Sequence, residues 1–210
     1  MRFRSRKAIL SLAIVVAAIA AVSVIWWRGS QHQAEQTAQA SQGESAIGGA
    51  FELVNSEGET VRAEDFRGRY LLVNFGYTFC PDVCPGTLAN ITRALNRLAE
   101  TDPAKAKEVV PIFITVDPAR DDVETMRHYV SNFHDRMVGL TGSKAQIEDV
   151  AKKYRVYYEK TDQTMADGEY LVNHSSYVYV MGPQGKYLEH FTHKTAPDAM
   201  ANVLSRLVES

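Results

Sequence analysis

Cys80 and Cys84 are the only cysteines in the sequence, and they stand four positions apart, each followed by a proline. They come after an apolar run, residues 70–75 (YLLVNF), and a short Gly76-Tyr77-Thr78-Phe79 turn. If a helix starts near Asp82, positions i and i+4 share one of its faces, with Cβ atoms roughly 5–6 Å apart. One metal ion can bridge two sulfurs at that separation, through thiolate bonds of about 2.3 Å as in zinc sites. A distorted first turn would instead bring the same sulfurs within reach of a disulfide. A thioredoxin-type redox pair has one residue fewer between its cysteines. The wider spacing eases chelation and suits fast dithiol exchange less. Pro85 is compatible with an early helical turn, whose amides need no intrahelical acceptor. The plain alternative is a pair of buried structural cysteines, but the turn and the helix start favour an accessible position.

Two soft thiolates select Cu(I) or zinc. They are too few for a closed structural zinc site, which takes four ligands, so a third ligand must come from elsewhere. Of the six histidines, His32 lies in a polar N-terminal stretch, His128 and His134 belong to a helical pattern, and His190 and His193 bracket a strand. His174 follows a polar excursion (residues 161–169, TDQTMADGE) and precedes the strand pattern of residues 177–181. A loop there can lie over the cysteine helix, or it can carry an ordinary loop histidine. Asp117 and Arg120 follow the apolar run of residues 109–116. Asp117 either tunes the charge of the cysteine site or contacts a partner, or else it simply begins a turn, with Asp121 and Asp122 capping the next helix. Tyr77 and Phe79 either shield the site from water or only pack. The chain has no phosphate-binding loop, dinucleotide fingerprint, zinc-protease motif or nucleophile elbow.

The elements that must position these residues can be read from periodicity. Residues 51–54 and the turn at 55–58 suggest a short strand and an added N-terminal hairpin; residues 70–75 are a buried strand. Leu88, Ile91, Leu95 and Leu98 recur at helical spacing up to Glu100, and Thr101-Asp102-Pro103 stops that helix. Residues 108–116 (EVVPIFITV) read as a central strand, with Pro111 tolerable only at its start or at a bulge. A helix containing Val123, Met126, Tyr129, Val130 and Phe133 follows, then a strand at 137–140 and a helix at 143–154 capped by Ser143. Residues 177–181 and 187–191 form a hairpin around Gly182-Pro183-Gln184-Gly185, and a helix opens at Pro197. Strands alternating with helices and ending in an antiparallel pair predict an α/β fold. The simplest match is a thioredoxin-like three-layer sandwich with an added N-terminal β-hairpin, its cysteines outside the carboxyl end of a sheet strand.

Residues 8–27 are uncharged and apolar apart from Ser11 and Ser23. As a helix they would be about 30 Å long, the thickness of a bilayer core. Arg2, Arg4, Arg6 and Lys7 precede the run and Arg28 follows it, which puts the short N-terminus on the cytoplasmic side. A cleaved signal peptide is the rival, but its apolar core is normally about 7–15 residues, and Trp26-Trp27-Arg28 reads as an interfacial anchor. The division is therefore residues 1–28 as cytoplasmic N-terminus and single-pass anchor, 29–46 as a polar tether and 47–210 as one domain. Residues 1–28 hold five of the 23 basic residues and none of the 25 acidic ones, leaving the remainder at net −7. That balance excludes a nucleic-acid binder, which needs a basic footprint. Thiols on the outer face of a membrane meet an oxidising setting and so need a thiol reductant.

Three segments together resemble the SCO/SenC family of thioredoxin-fold, copper-handling proteins that serve cytochrome c oxidase assembly. They are residues 76–85 (GYTFCPDVCP), residues 115–121 (TVDPARD) and residues 172–176 (VNHSS). The resemblance covers residues 47–210, together with the single anchor. It implies that Cys80, Cys84 and His174 hold one copper ion, as Cu(I) and in a second state as Cu(II). It implies delivery to the CuA-bearing subunit of an oxidase, with exchange with other copper carriers. It places the domain on the periplasmic side of a bacterial inner membrane. Asp117, Arg120, Asn173 and Tyr77 become candidates for supporting or partner contacts. The family commonly has aspartate where this chain has Asn173, which bears on Cu(II) rather than on the three main ligands. A thiol–disulfide reductase using Cys80 to attack and Cys84 to resolve is the alternative of a different class. A peroxide-consuming protein would need a dedicated Arg/Thr environment that the sequence does not specify.

Overall fold

The structure, a computed structural model, describes residues 47–164 and 170–209. The anchor and tether expected within residues 1–46 lie outside the described residues. Among the described residues, no helix is long and apolar enough to cross a membrane.

β1 (Glu52–Asn55) and β2 (Thr60–Arg62) form the N-terminal antiparallel hairpin. Its turn is closed by the Asn55 carboxamide oxygen, which accepts from the amides of Glu57 and Glu59. β3 (Tyr70–Gly76) is buried along its whole length, which marks a strand covered on both faces. It runs parallel to β4 (Val109–Thr115) and antiparallel to β8 (Tyr177–Met181). With β5 (Val138–Thr141) and β9 (Tyr187–Thr192), the main sheet has the order β2-β1-β5-β4-β3-β8-β9. β6 (Tyr158–Thr164) and β7 (Tyr170–His174) form a separate two-stranded sheet.

The period-2 alternation of β3 and β4 divides the interior into two cores. Leu71, Val73, Phe75, Ile112 and Ile114 face one side, packed on α4 (Lys144–Lys153) and on Val172 of β7. Leu72 and Phe113 face the other, packed on α1 (Val83–Thr101), α3 (Val123–Val130) and α5 (Pro197–Leu207). The result is a mixed α/β, thioredoxin-like arrangement with helices on both sides of the sheet.

Three details depart from the sequence reading. Asp102 does end α1, but its carboxylate also accepts from the Lys105 amide and, with Pro103 next, opens a further short helix, α2 (Pro103–Glu108). Pro111 lies in a central strand: it pairs in register with Leu72, while β5 joins β4 only from Ile112 onward. It is the third residue of β4, at a point where the strand is paired on the β3 side only, so its missing donor is tolerated. The described part of the polar excursion, residues 161–164, is strand, because residues 158–164 form β6. Most of that strand's side chains are exposed, so no apolar alternation advertised it.

Candidate metal centre

Strand β3 delivers the chain to the site, and Gly76 at its end has a steric reason to be glycine. A Cβ built there would lie 2.7 Å from Cys84 Sγ and 2.8 Å from the Phe113 ring. The turn that follows is fixed from behind by Asp121, which is wholly buried. Its carboxylate accepts from the Thr78 amide at 3.0 Å, the Thr78 hydroxyl at 2.5 Å and the Thr115 hydroxyl at 2.5 Å. Burial holds the Asp121 carboxyl above the usual aspartate range, against the pull of those hydrogen bonds. Helix α1 then starts without a side-chain oxygen as cap. The sulfur of Cys80 takes that position instead, accepting from the Cys84 amide at 3.5 Å.

Both cysteines are free thiols, Cys80 half-buried and Cys84 buried. A hydrogen bond from Cys84 lowers the Cys80 thiol to about 3, working against burial and assisted by the amides of Cys84 and Asp82. Cys84 moves the opposite way, well above the ordinary thiol, because it donates to Cys80 and is desolvated. The pair is therefore one thiolate and one thiol, with the negative charge on the outer sulfur at a helix N-terminus.

His174 is the last residue of β7, rather than part of a free loop at the entrance to β8. Its Nε2 lies 3.3 Å from Cys84 Sγ, and its Nδ1 lies 3.1 Å from the Ser175 carbonyl oxygen. A carbonyl only accepts, so Nδ1 carries the proton and Nε2 turns its lone pair to the sulfurs. The ligand atoms of Cys80, Cys84 and His174 all lie within 4.8 Å of one another. That spread is close to twice a metal–thiolate bond of about 2.3 Å. Two sulfurs and an imidazole form a soft, low-coordinate donor set that suits Cu(I).

The SCO1/SenC family model matches residues 39–209. The chain belongs to the SCO1/SenC family. It is 40% identical over 151 residues to an Arabidopsis thaliana mitochondrial SCO1 homolog, a match covering 72% of this chain and 44% of that protein. Copper-bound ScoI of Bradyrhizobium japonicum is 38% identical with a TM-score of 0.69, over 77% of this chain and 99% of that one. BsSco is described as a member of the Sco family of cytochrome c oxidase assembly proteins with a disulfide switch. It is 26% identical with a TM-score of 0.58, over 75% of this chain and 89% of that one.

The other residues singled out in this SCO1/SenC chain fall in different places. Tyr77 is buried, accepts from the Val172 amide at 3.3 Å and meets the His174 ring edge-on at 5.8 Å. It both packs and braces β7. Asp117 and Arg120 form a nearly buried ion pair of 2.6 Å. They face Tyr170 of β7, whose hydroxyl donates to Asp117 Oδ1 at 2.9 Å. Asn173 is exposed and pairs in register with Glu159 of β6. Strand alternation points its side chain away from the face that carries Val172 and His174. Of the two aspartates read as helix caps, Asp122 does cap α3 through the Thr125 amide, whereas Asp121 anchors the cysteine turn. His190 belongs elsewhere, hydrogen-bonded to Tyr187 on β9 at 2.6 Å. Sequence reasoning missed Thr78, Tyr170 and the anchoring role of Asp121. An aspartate next to an obvious cap gives no sign of being buried.

Proposed function

We propose that this chain is a copper chaperone that binds one copper ion through Cys80, Cys84 and His174. It passes the ion to the CuA site of an oxidase subunit during cytochrome c oxidase assembly. The observation that carries this reading is the convergence of two free sulfurs and one imidazole nitrogen within 4.8 Å in a chain of the SCO1/SenC family. The donor set suits Cu(I), and copper-bound ScoI of similar fold supports the choice of metal. Cys80 arrives as thiolate and His174 with its Nε2 lone pair free, so binding releases one proton, from Cys84. Cys80 lies on the outer side of the cluster, where a recipient's ligand can attack the ion. Residues 1–28 would anchor the chain in a bacterial inner membrane, residues 29–46 would tether it, and the domain of residues 47–210 would work on the periplasmic side. Its partners would then be the CuA-bearing subunit, other copper carriers and a thiol reductant. Titration of the reduced protein with Cu(I) tests the proposal. One equivalent should bind, and Cys80→Ala and His174→Ala should each weaken binding. Stoichiometry well below one would defeat it.

The charge split between the cysteines favours a second activity on the same sulfurs. The Cys80 thiolate attacks a target disulfide and expels one target thiolate. Cys84 then attacks Cys80 of the mixed disulfide, leaving the target as a dithiol and this chain oxidised. Cys84→Ala should trap the mixed disulfide; no trapped species would count against this reading.

A further inference from the structure

The hairpin that carries His174 is weakly attached. β6–β7 is a two-stranded sheet of its own, and such pairs are marginal without packing. β6 is mostly exposed, and on β7 only Val172 is buried. At the His174 end, bonds from the Ser175 amide to the Tyr157 carbonyl and from the Tyr157 amide to the Ser175 hydroxyl close the two strands on each other, and the Val172 amide holds β7 to the Tyr77 hydroxyl at 3.3 Å. At the opposite end, the hairpin is tied by Arg120. The guanidinium lies 3.5 Å from the Tyr170 ring centroid and donates from Nη1 to the Tyr170 carbonyl at 3.0 Å. Its Nε is held by Asp117 Oδ2, and Asp117 Oδ1 returns to the Tyr170 hydroxyl, which closes the ring of contacts. The same cation lies 4.7 Å from the Phe79 ring centroid and 5.7 Å from that of Tyr77. Phe79 is the residue immediately before Cys80. One side chain therefore touches the segment leading into the cysteines and the strand that ends in the histidine.

We propose that Arg120 is a positioning residue that clamps β6–β7 to the cysteine turn and so sets the distance from His174 to Cys84. The inference rests on the copper reading above for its metal readout, and on the hairpin alone for its other one. A planar, forked cation stacked between aromatic rings does what an ammonium cannot, since Lys has no second fixed donor and no face to stack. Without the clamp, β7 is held chiefly at Val172, by its buried side chain and its amide bond to the Tyr77 hydroxyl, and pivots about that point. His174 then leaves Cys84, while the two sulfurs, held by β3, α1 and Asp121, stay together.

The test uses the reduced, full-length chain. In Arg120→Gln without copper, deuterium uptake over residues 170–176 should quicken at least tenfold, and uptake over residues 70–76 should not change. Cu(I) affinity, read by competition with bicinchoninate, should fall at least tenfold in this variant. In a His174→Ala background, the same substitution should cost no more than a further twofold. Arg120→Lys should fall short of restoring either property. Unchanged uptake over residues 170–176 overturns the proposal, as does a loss of equal size in the His174→Ala background. If Arg120→Gln does not fold, Tyr170→Phe carries the same two readouts through its lost bond to Asp117. If the wild-type chain binds no Cu(I), the copper reading fails, and deuterium uptake alone decides the clamp.

Discussion

Cys80 Sγ occupies the place of a helix N-cap acceptor for the Cys84 amide, 3.5 Å away. The sulfur nearer the surface is the one stabilised as an anion, by the Cys84 thiol first and the helix-start amides second, and the deeper sulfur keeps its proton. Iodoacetamide should label Cys80 at pH 5, where an ordinary thiol is almost entirely protonated. The Cys80 thiol is lowered to about 3, so its labelling rate should stay nearly flat from pH 5 to 7, with Cys84 protected throughout. A Cys80 rate that climbs tenfold per pH unit over that range would show the thiolate to be absent.

Asp121 joins the cysteine turn to β4 by accepting from the Thr78 amide and from the hydroxyls of Thr78 and Thr115. Asp121→Ala should cost about 2–4 kcal/mol, because it strands the buried Thr115 hydroxyl and the half-buried Thr78 amide and hydroxyl. The pH dependence has a definite sign. The folded carboxyl titrates above its unfolded value, so the unfolded chain gives up this proton first as pH rises. Asp121 therefore removes stability between an ordinary aspartate pKa of about 3.9 and its own raised one. Urea melts across pH 3.5–7 check this through the difference between wild type and Asp121→Asn. Wild type should lose stability relative to the variant as pH rises, and a difference that grows the other way would refute the assignment.

Gly76→Ala should strike the site through sterics alone. The added methyl meets Cys84 Sγ at 2.7 Å and Phe113 at 2.8 Å, so the sulfur or the β4 ring must shift. Overpacking of this kind costs about 1–3 kcal/mol. Cu(I) affinity should fall with it, because the displaced atom is a proposed ligand. A variant with wild-type stability and affinity would mean that the backbone yields at no cost.

How far the fold and site could be read from the sequence depended on where each residue's partners lay. The buried strands and α1 were plain because their apolar residues repeat with the period of their elements, and Cys80 and Cys84 because they are close in sequence. His174 was different: 90 residues separate it from Cys84, and spacing could not place it without the family resemblance. β6 was missed because its polar side chains are exposed and only backbone pairing makes it a strand. Asp121 was read as a cap because local sequence cannot tell a buried aspartate from an exposed neighbour such as Asp122.

Asn173, one residue before His174, is where the sequence differs from the aspartate common in the family. Its exposure and its position opposite Glu159 put its side chain on the far side of β7 from the cluster. A carboxylate there acts on the ion only through solvent-screened charge, of the size seen for exposed pairs, about 0–1 kcal/mol. Asn173→Asp should therefore leave Cu(I) affinity within about fivefold of wild type, since about 1 kcal/mol corresponds to roughly that factor. The change should shrink further at high salt, where exposed charges are screened. A tenfold or larger change that survives high salt would mean that the side chain turns inward and reaches the metal, contrary to the strand geometry.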